Sequence, residues 1–310
     1  MLATLARALP RDEDDWTFEF KWDGIRAIAF WDGTALRFET RNLRDVTRSW
    51  PELEGLGRAL GDTPCILDGE IAALDDAGRP SFQRLQERMH VADRNVAVKL
   101  AERVPASYLV FDVLHLDGVD LMGLPWTERR PHLDRLGLKG GSWSTTPSLP
   151  GHGTELLEIV RQRRMEGVIA KRLDSTYVPG ARSKSWLKVK LQQSDEFVVG
   201  GWFPGEGRRS GRIGSLLLGV PNESGAFDYV GNVGTGFSDA ELSRLQRRLF
   251  PTRTDTNPFT GGGVPKRGSV FVDPQLVVEV EFTERTDEGI LRHPSYKGVR
   301  IDKGVDDVET

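Results

Sequence analysis

Phe18-Glu19-Phe20-Lys21-Trp22-Asp23-Gly24-Ile25-Arg26 is the stretch on which the reading of this 310-residue chain turns. Taken as a strand with period 2, it sets Phe18, Phe20 and Trp22 on one face and Glu19, Lys21 and Asp23 on the other. The apolar face can anchor the strand in a core, which holds a lysine and two carboxylates rigidly on the opposite side. Asp23-Gly24 then permits a sharp change of direction. A lysine held in this way can act as a nucleophile, and an ordinary half-exposed strand lysine satisfies the same pattern. The stretch by itself leaves that choice open.

Outward from it, Trp31-Asp32-Gly33-Thr34 supplies an Asp-Gly hairpin turn between residues 25–30 and 35–39, so residues 16–40 read as a meander. A helix is expected over 51–60 and a strand over 65–74, ended by Asp75-Asp76-Ala77-Gly78. Ser81 suits the N-cap of a helix carrying Phe82, Leu85 and Met89. Residues 106–116 form the strongest strand signal, closed by Asp117-Gly118. Helices are expected at 127–136 and 154–165, separated by an irregular segment with a short strand within 142–148. Residues 167–172 and 186–191 are again strand-like.

The character changes near Gln192-Gln193-Ser194. Short strands at 197–202, 216–220 and 227–233 alternate with glycine-rich turns. One helix has clear start signals: Ser238 with Glu241 as a capping box, and Phe237 against Leu242 as a hydrophobic staple. Strands at 270–272 and 276–282 complete an inventory that suits a small Greek-key barrel such as an OB-fold, a common nucleic-acid platform. Two domains are expected, 1–191 and 192–310.

Composition bounds the function. At 38% hydrophobic and 28% charged residues the chain has the make-up of a globular protein. A single cysteine, Cys65, excludes an internal disulfide, and its apolar neighbours Ile66 and Leu67 mark it as core. No stretch approaches the roughly 18 apolar residues that span a membrane, and the start lacks a signal-peptide pattern. A cytoplasmic protein is expected. The net charge of −4 gives no global attraction to nucleic acid. Residues 192–310 hold 14 Lys+Arg against 18 Asp+Glu, so an isolated basic nucleic-acid module is excluded.

Several apolar strands are interrupted by ionisable residues: Lys21, Glu70, Asp112, Glu166, and the pair Lys188 and Lys190 in Trp186-Leu187-Lys188-Val189-Lys190-Leu191. Burying any of them unpaired is costly, so they are expected to converge on one polar cleft. Three lysines and two glutamates among strands suit phosphoryl or nucleotidyl transfer, with lysines neutralising phosphate oxygens and carboxylates holding a hard divalent metal. Unrelated surface ion pairs are the alternative. No Walker A pattern, Gly-x-Ser-x-Gly elbow or metal-ligand spacing among the five histidines, His90, His115, His132, His152 and His293, points elsewhere. Gly205-Glu206-Gly207-Arg208-Arg209-Ser210-Gly211 lacks dinucleotide-binding spacing and reads as a loop.

With these residues in place the chain resembles the covalent nucleotidyltransferases: DNA ligases, RNA ligases and mRNA capping enzymes. Lys21-Trp22-Asp23-Gly24 looks like the family's Lys-x-Asp-Gly nucleophile motif. The order of the motifs beyond it is more specific. Arg41-Asn42, Asp68-Gly69-Glu70, Phe111-Asp112, Glu166-Gly167-Val168-Ile169-Ala170-Lys171, Trp186-Leu187-Lys188-Val189-Lys190 and Arg300-Ile301-Asp302-Lys303 resemble the family's later motifs in turn. The resemblance runs from Leu2 to about Lys303 and is strongest to bacterial ATP-dependent DNA ligases of the ligase C and ligase D type. It implies an α+β chain, with an N-terminal nucleotidyltransferase domain (ATP-grasp-like, of mixed and antiparallel sheets) followed by an OB-fold barrel. With no fused polymerase or phosphoesterase domain in these residues, a stand-alone enzyme or a ligase module is expected.

The resemblance also implies roles. Lys21 attacks the α-phosphorus of ATP, AMP passes to a 5′-phosphate, and a 3′-hydroxyl displaces it. Lys21 must react as the neutral amine, although a free lysine has a pKa near ~10.4. Lys188 and Lys190 repel its proton and stabilise the charge on phosphate. Glu166 and Glu70 are the candidate ligands for Mg²⁺ or Mn²⁺, with Glu70 an alternative ribose contact. Phe111 stacks on adenine. Glu19, acceptor-only, suits the adenine amino group and repels the guanine carbonyl. Arg26 and Arg41 contact ribose or phosphate. Arg300, Asp302 and Lys303 act if the OB domain closes over ATP and reopens to clamp a nick. Asp23 is left between orienting Lys21, assisting the metal and assisting the nick chemistry. The expected partner is nicked duplex DNA, including nicks with a ribonucleotide 3′-end, with repair or end-joining proteins and a monomeric enzyme in the bacterial cytosol.

Three alternatives accompany this reading. RNA ligation or guanylyl capping is opposed by the OB segment, by Glu19 and by the Arg-x-Asp-Lys ending. NAD⁺ as AMP donor is opposed by the twenty residues before Lys21, where NAD-type ligases carry an extra module. A non-catalytic DNA-end-binding OB protein is opposed by the intact lysine and glutamates.

Overall fold

Strands Trp16–Lys21 and Ile25–Trp31 are consecutive in the chain but belong to different sheets. The crossing is made at Gly24, where a Cβ would sit 2.2 Å from the Ile71 carbonyl oxygen, a separation no side chain tolerates. The expected meander is therefore only its second half, the hairpin Ile25–Trp31/Leu36–Thr40. The structure is a computed structural model that describes residues 1–75, 79–89, 91–163, 165–191, 193–262, 265 and 267–308. The turn at Asp76-Ala77-Gly78, His90, Gln192 and the side chain of Arg208 lie outside the described residues.

Two compact units divide the chain, Met1–Leu191 and Gln192–Thr310. The first holds two sheets. One runs in the order Leu2–Ala6, Arg182–Lys190, Gly167–Arg172, Trp16–Lys21 and Leu149–Pro150, antiparallel except for the parallel first pair. The other runs Leu36–Thr40, Ile25–Trp31, Cys65–Ala73, Ala106–Leu116 and Val119–Asp120, with Trp143–Thr145 added in parallel to Ala106–Leu116. The apolar face read from the opening stretch is used as expected. Phe18, Val168 and Ala170 pack with Leu156 and Val160 of helix Gly153–Gln162, with Phe20, Trp22 and Leu187 around them. Each such large side chain contributes on the order of 2 kcal/mol by leaving water. Glu13 caps that helix, accepting from Gly153 N at 2.7 Å and Thr154 N at 3.1 Å.

The second unit is built on a sheet ordered Arg253–Thr254, Val270–Phe282, Gln193–Pro204, Ile213–Pro221, Phe227–Val233 and Phe259–Gly262, with Ser295–Val299 also paired to Val270–Phe282. The two strands expected at 270–272 and 276–282 are one strand. Its register against Gln193–Pro204 shifts between Val199 and Gly201, a bulge that lets a long strand bend without ending. Leu242, Leu245 and Leu249 of helix Asp239–Leu249 enter the core beside Val277, Val278 and Val280. Ser238 Oγ accepts from Glu241 N at 3.2 Å as expected. Glu241 turns its own carboxylate to the Tyr296 hydroxyl at 2.6 Å and Arg244 Nε at 2.9 Å, so the reciprocal half of the capping box is replaced by tertiary bonds.

Among the elements with no counterpart in those expected from the sequence are strand Leu2–Ala6, helix Arg94–Arg103 capped by Asp93, and strand Ser295–Val299. The helix expected over 51–60 divides into a 3-10 turn at Pro51–Leu53 and a helix at Gly55–Leu60. Cys65 is buried, and burial pushes its thiol up to about 12, which makes it a core residue rather than a nucleophile. No helix among the described residues is long and apolar enough to cross a membrane.

Candidate active site

Pairing across three strands aligns the charged face in rungs. Lys21 lies opposite Gly167, which lies opposite Lys190; Glu19, Ile169 and Lys188 form the next rung; Thr17, Lys171 and Trp186 the third. Because residues two apart share a face, Lys21, Lys190, Glu19, Lys188, Lys171 and Trp186 all stand on the side opposite Phe18 and Val168. Gly167 is what closes the first rung. A Cβ there would meet the Val189 carbonyl oxygen at 2.2 Å, so only glycine brings Glu166 this close to Lys190.

Glu166 is the hub of the first rung. Its Oε2 is 2.5 Å from Lys21 Nζ and its Oε1 is 3.9 Å from Lys190 Nζ. These side chains keep some solvent access, at 21% for Lys21, 12% for Glu166 and 11% for Lys190. One carboxylate thus serves two ammonium groups, and an incoming anion can compete for either.

Across the second and third rungs the pattern repeats in a sealed form. Lys171 donates to Glu19 Oε1 at 2.9 Å, stands 2.8 Å from Oε2, and donates to the Phe111 carbonyl at 3.0 Å. Its ammonium sits 4.7 Å from the Phe111 ring centroid and 4.5 Å from that of Trp186. Through Phe111, on strand Ala106–Leu116, Lys171 ties the two sheets of the first unit together. Burial pushes the Glu19 carboxyl above the usual carboxylate range, with Lys171 and Arg130 opposing the shift.

Arg26 extends the roof. It is bidentate to Asp68, with Nε to Oδ1 at 2.9 Å and Nη2 to Oδ2 at 2.5 Å, and also bonds the Met1 carbonyl and the Tyr177 hydroxyl. Its guanidinium lies 5.5 Å from the Phe111 ring centroid. Glu70 is opposite Arg26 on the neighbouring strand, and its Cγ lies 3.0 Å from the position a Gly24 Cβ would take, which sets it against the turn after Lys21. Asp23, in that turn, accepts from Phe82 N at 3.3 Å and so joins Ser81 at the N-terminus of helix Phe82–Gln86. Arg41 stands in the exposed turn after Leu36–Thr40.

Asp112 departs from the expected convergence. It is 3% exposed and held bidentately by Arg129, at 3.0 Å to each oxygen, while Arg129 also bonds the carbonyls of Leu124 and Ser175. Phe111 is the extra residue where the register against Cys65–Ala73 shifts; it turns toward Lys171, while Arg129 holds Asp112 against helix Trp126–Arg135.

Within the second unit Arg300 is bidentate to Asp302, at 3.0 and 2.8 Å, and reaches Glu279 at 2.9 Å and Glu196 at 3.6 Å. Lys303 Nζ lies 2.5 Å from Glu196. Glu196 and Glu279 are direct cross-strand neighbours, a like-charge pairing that the two cations offset. Burial raises the Asp302 carboxyl, but Arg300 outweighs it and holds the group below its ordinary range.

Sequence reasoning gave no role to Lys171 and Asp68, although both stand in its motifs, and missed Arg130 and Tyr177 in the first unit and Glu196 and Glu279 in the second. Lys171 was within reach: it shares the period-2 face of Gly167 and Ile169, and Trp186 precedes Lys188 by two. The partners of the others lie on strands or helices distant in sequence.

Similarity to known proteins divides at the same place. A family model described as "ATP dependent DNA ligase domain" matches residues 1–190, and one described as "ATP dependent DNA ligase C terminal region" matches residues 209–303. The "Multifunctional non-homologous end joining protein LigD" of Mycolicibacterium smegmatis is 43% identical over 311 residues, covering 99% of this chain and 39% of that protein. The Pseudomonas aeruginosa protein of the same name is 36% identical, over 97% of this chain and 35% of its own length. The chain thus spans less than two-fifths of these relatives. Among solved structures, a mycobacterial DNA ligase D complexed with ATP and MES matches with a TM-score of 0.72 at 38% identity, covering 99% of this chain and 96% of that one. The ligase domain of M. tuberculosis LigD matches with a TM-score of 0.54 at 39% identity, covering 100% and 97%. The first unit accordingly has the nucleotidyltransferase fold and the second the OB-fold.

Proposed function

The chain belongs to the ATP-dependent DNA ligase family, and from that membership we propose that it seals 5′-phosphate/3′-hydroxyl nicks in duplex DNA through an AMP–lysine bond on Lys21. The observation that carries this reading is the first rung: a part-exposed lysine 2.5 Å from Glu166, with Lys190 on the same carboxylate.

Three displacements at phosphorus make up the reaction. The Lys21 Nζ lone pair attacks the α-phosphorus of ATP, the bond to the bridging oxygen breaks, pyrophosphate leaves and Nζ gives up a proton. An oxygen of the DNA 5′-phosphate then attacks the AMP phosphorus, breaking the N–P bond and returning a proton to Lys21. Finally the 3′-hydroxyl attacks the activated 5′-phosphorus, loses its proton and releases AMP. Glu166 against Nζ favours the ammonium form, so Lys21 becomes nucleophilic when that carboxylate is engaged elsewhere. Lys188 and Lys190 stand on the same face to bind phosphate oxygens and stabilise the charge that develops on them.

The donor set suits Mg²⁺ or Mn²⁺. Among the described residues no group of three or more His, Cys, Asp or Glu side chains forms a metal cage, and Mg²⁺ is ordinarily held by one or two carboxylates plus phosphates and water. Glu166 and Glu70 would hold it. Such an ion would supply positive charge that neutralises phosphate oxygens.

Phe111 is the proposed adenine platform and Glu19 the acceptor for the adenine amino group. Arg26 has four of its five N–H donors already engaged, which leaves one for ribose or phosphate. Arg41 is the proposed second contact of this kind. Arg300 and Lys303 are proposed ATP contacts that must exchange Glu196 and Glu279 for phosphate. The LigD names of the relatives concern non-homologous end joining, and we place this chain in the same kind of repair, with nicks bearing a ribonucleotide 3′-end among its substrates.

Incubation with Mg²⁺ and α-labelled ATP, GTP or NAD⁺ tests the reading. Label from ATP alone that disappears in Lys21→Ala is expected. Absence of label from every nucleotide would leave a DNA-binding module instead of a ligase.

A further inference from the structure

The ion pair between Glu19 and Lys171 is not used by the chemistry at Lys21. Glu19 is 2% exposed and Lys171 1%. Lys171 donates to Glu19 Oε1 and to the Phe111 carbonyl, and its ammonium stands 2.8 Å from Glu19 Oε2. Arg130, from helix Trp126–Arg135, comes within 3.9 Å of Glu19, and its Nη1 is buried without a hydrogen-bond partner. Asp112, from strand Ala106–Leu116, adds an opposing charge that Arg129 neutralises.

A carboxyl group in such a place has two chemical identities. Ionised, it only accepts hydrogen bonds; protonated, it also presents an O–H donor. Adenine offers an amino group where guanine offers a carbonyl oxygen. The ionised form therefore selects adenine, and the protonated form admits guanine.

We propose that Lys171 is the positioning residue that keeps Glu19 an acceptor-only carboxylate and thereby sets the preference for ATP over GTP. The inference rests on the reading of Glu19 as the group that meets the base. Burial already pushes the Glu19 carboxyl up against the pull of Lys171. With Lys171 removed the acid form extends to higher pH, and since an acid with a raised pKa is protonated on the low-pH side, discrimination fails there first.

Competition between α-labelled ATP and GTP for covalent labelling of the full chain, at pH 6 and pH 8.5, tests this. Wild type and Lys171→Arg keep their ATP preference at both values. Lys171→Met loses it by about 10-fold or more at pH 6 and regains part of it at pH 8.5. A wild-type ratio at both pH values in Lys171→Met overturns the proposal, and so does a loss that is equal at both, since that is displacement of Glu19 and not its protonation. If Lys171→Met takes no label, the ATP- and GTP-induced shifts in its Tm supply the ratio under the same rule; if it does not fold, Lys171→Gln stands in. Glu19→Gln separates the two layers. An unchanged ratio in Glu19→Gln removes Glu19 as the base reader, whereas relaxation there with no change in Lys171→Met removes only the role of Lys171.

Discussion

Two lysine–glutamate pairs stand on one face of one sheet, one at the first rung and one across the next two, and they are built differently. Lys21–Glu166 lies at the end of its strand, beside the turn that Gly24 allows, with side chains 21% and 12% exposed and the carboxylate shared with Lys190. Lys171–Glu19 lies beneath Phe111 and Trp186, with side chains 1% and 3% exposed. The same two residue types give an exchangeable pair where water and phosphate can enter and a fixed one where they cannot. In the first position the ammonium can trade its partner at little cost; in the second, breaking the pair strands a charge in a poorly solvated place. Depth along the strand, not residue identity, assigns the tasks.

The contrast can be broken most severely at the exchangeable pair. Lys21→Ala should cut AMP transfer to the protein by about 10⁴-fold or more, equivalent to more than ~5 kcal/mol of transition-state stabilisation. The fixed pair should respond in stability instead. Urea unfolding of Lys171→Met should show a loss of about 3–5 kcal/mol, against at most about 1 kcal/mol for Lys21→Met. Equal losses would erase the distinction between the two pairs. Glu166→Gln, which keeps the shape and removes the charge, should lower the single-turnover labelling rate by about 10²-fold and leave the denaturation midpoint nearly unchanged. The smallest effect belongs to DNA binding. The affinity of a nicked duplex should fall with salt along a log–log slope of roughly −3, shallow because the chain is acidic. A slope of zero would take phosphate neutralisation out of nick binding.

Much of the site was legible as alternation. Phe18, Phe20 and Trp22 announced the buried face, and the spacing of Lys188 and Lys190 placed both on one side of a strand. Rung alignment was not legible, because it depends on pairing Lys21 with Gly167 and Gly167 with Lys190, partners about 145 residues apart in the first case. Lys171 closes the motif that Glu166 opens, yet its role was hidden for the same reason: a lysine near a strand's end has no visible purpose until Glu19 is set beside it. Asp112 was grouped with the cleft because a charge in an apolar strand looks the same from either face, and only the structure shows Arg129 behind it. The fold was plainer than its details. Helix Arg94–Arg103 buries little beyond Ala97, so its apolar pattern is faint. Strand Leu2–Ala6 takes its place from a parallel neighbour about 180 positions away, which no local signal encodes.

The central claim is that the part-exposed lysine of the first rung carries AMP. Mass mapping of the chain after incubation with ATP and Mg²⁺ tests it most directly. A single AMP adduct is expected on the peptide containing Lys21, lost when nicked DNA is added and absent from Lys21→Ala. An adduct on Lys171, Lys188 or Lys190 in the wild type, or one that persists in Lys21→Ala, would contradict it.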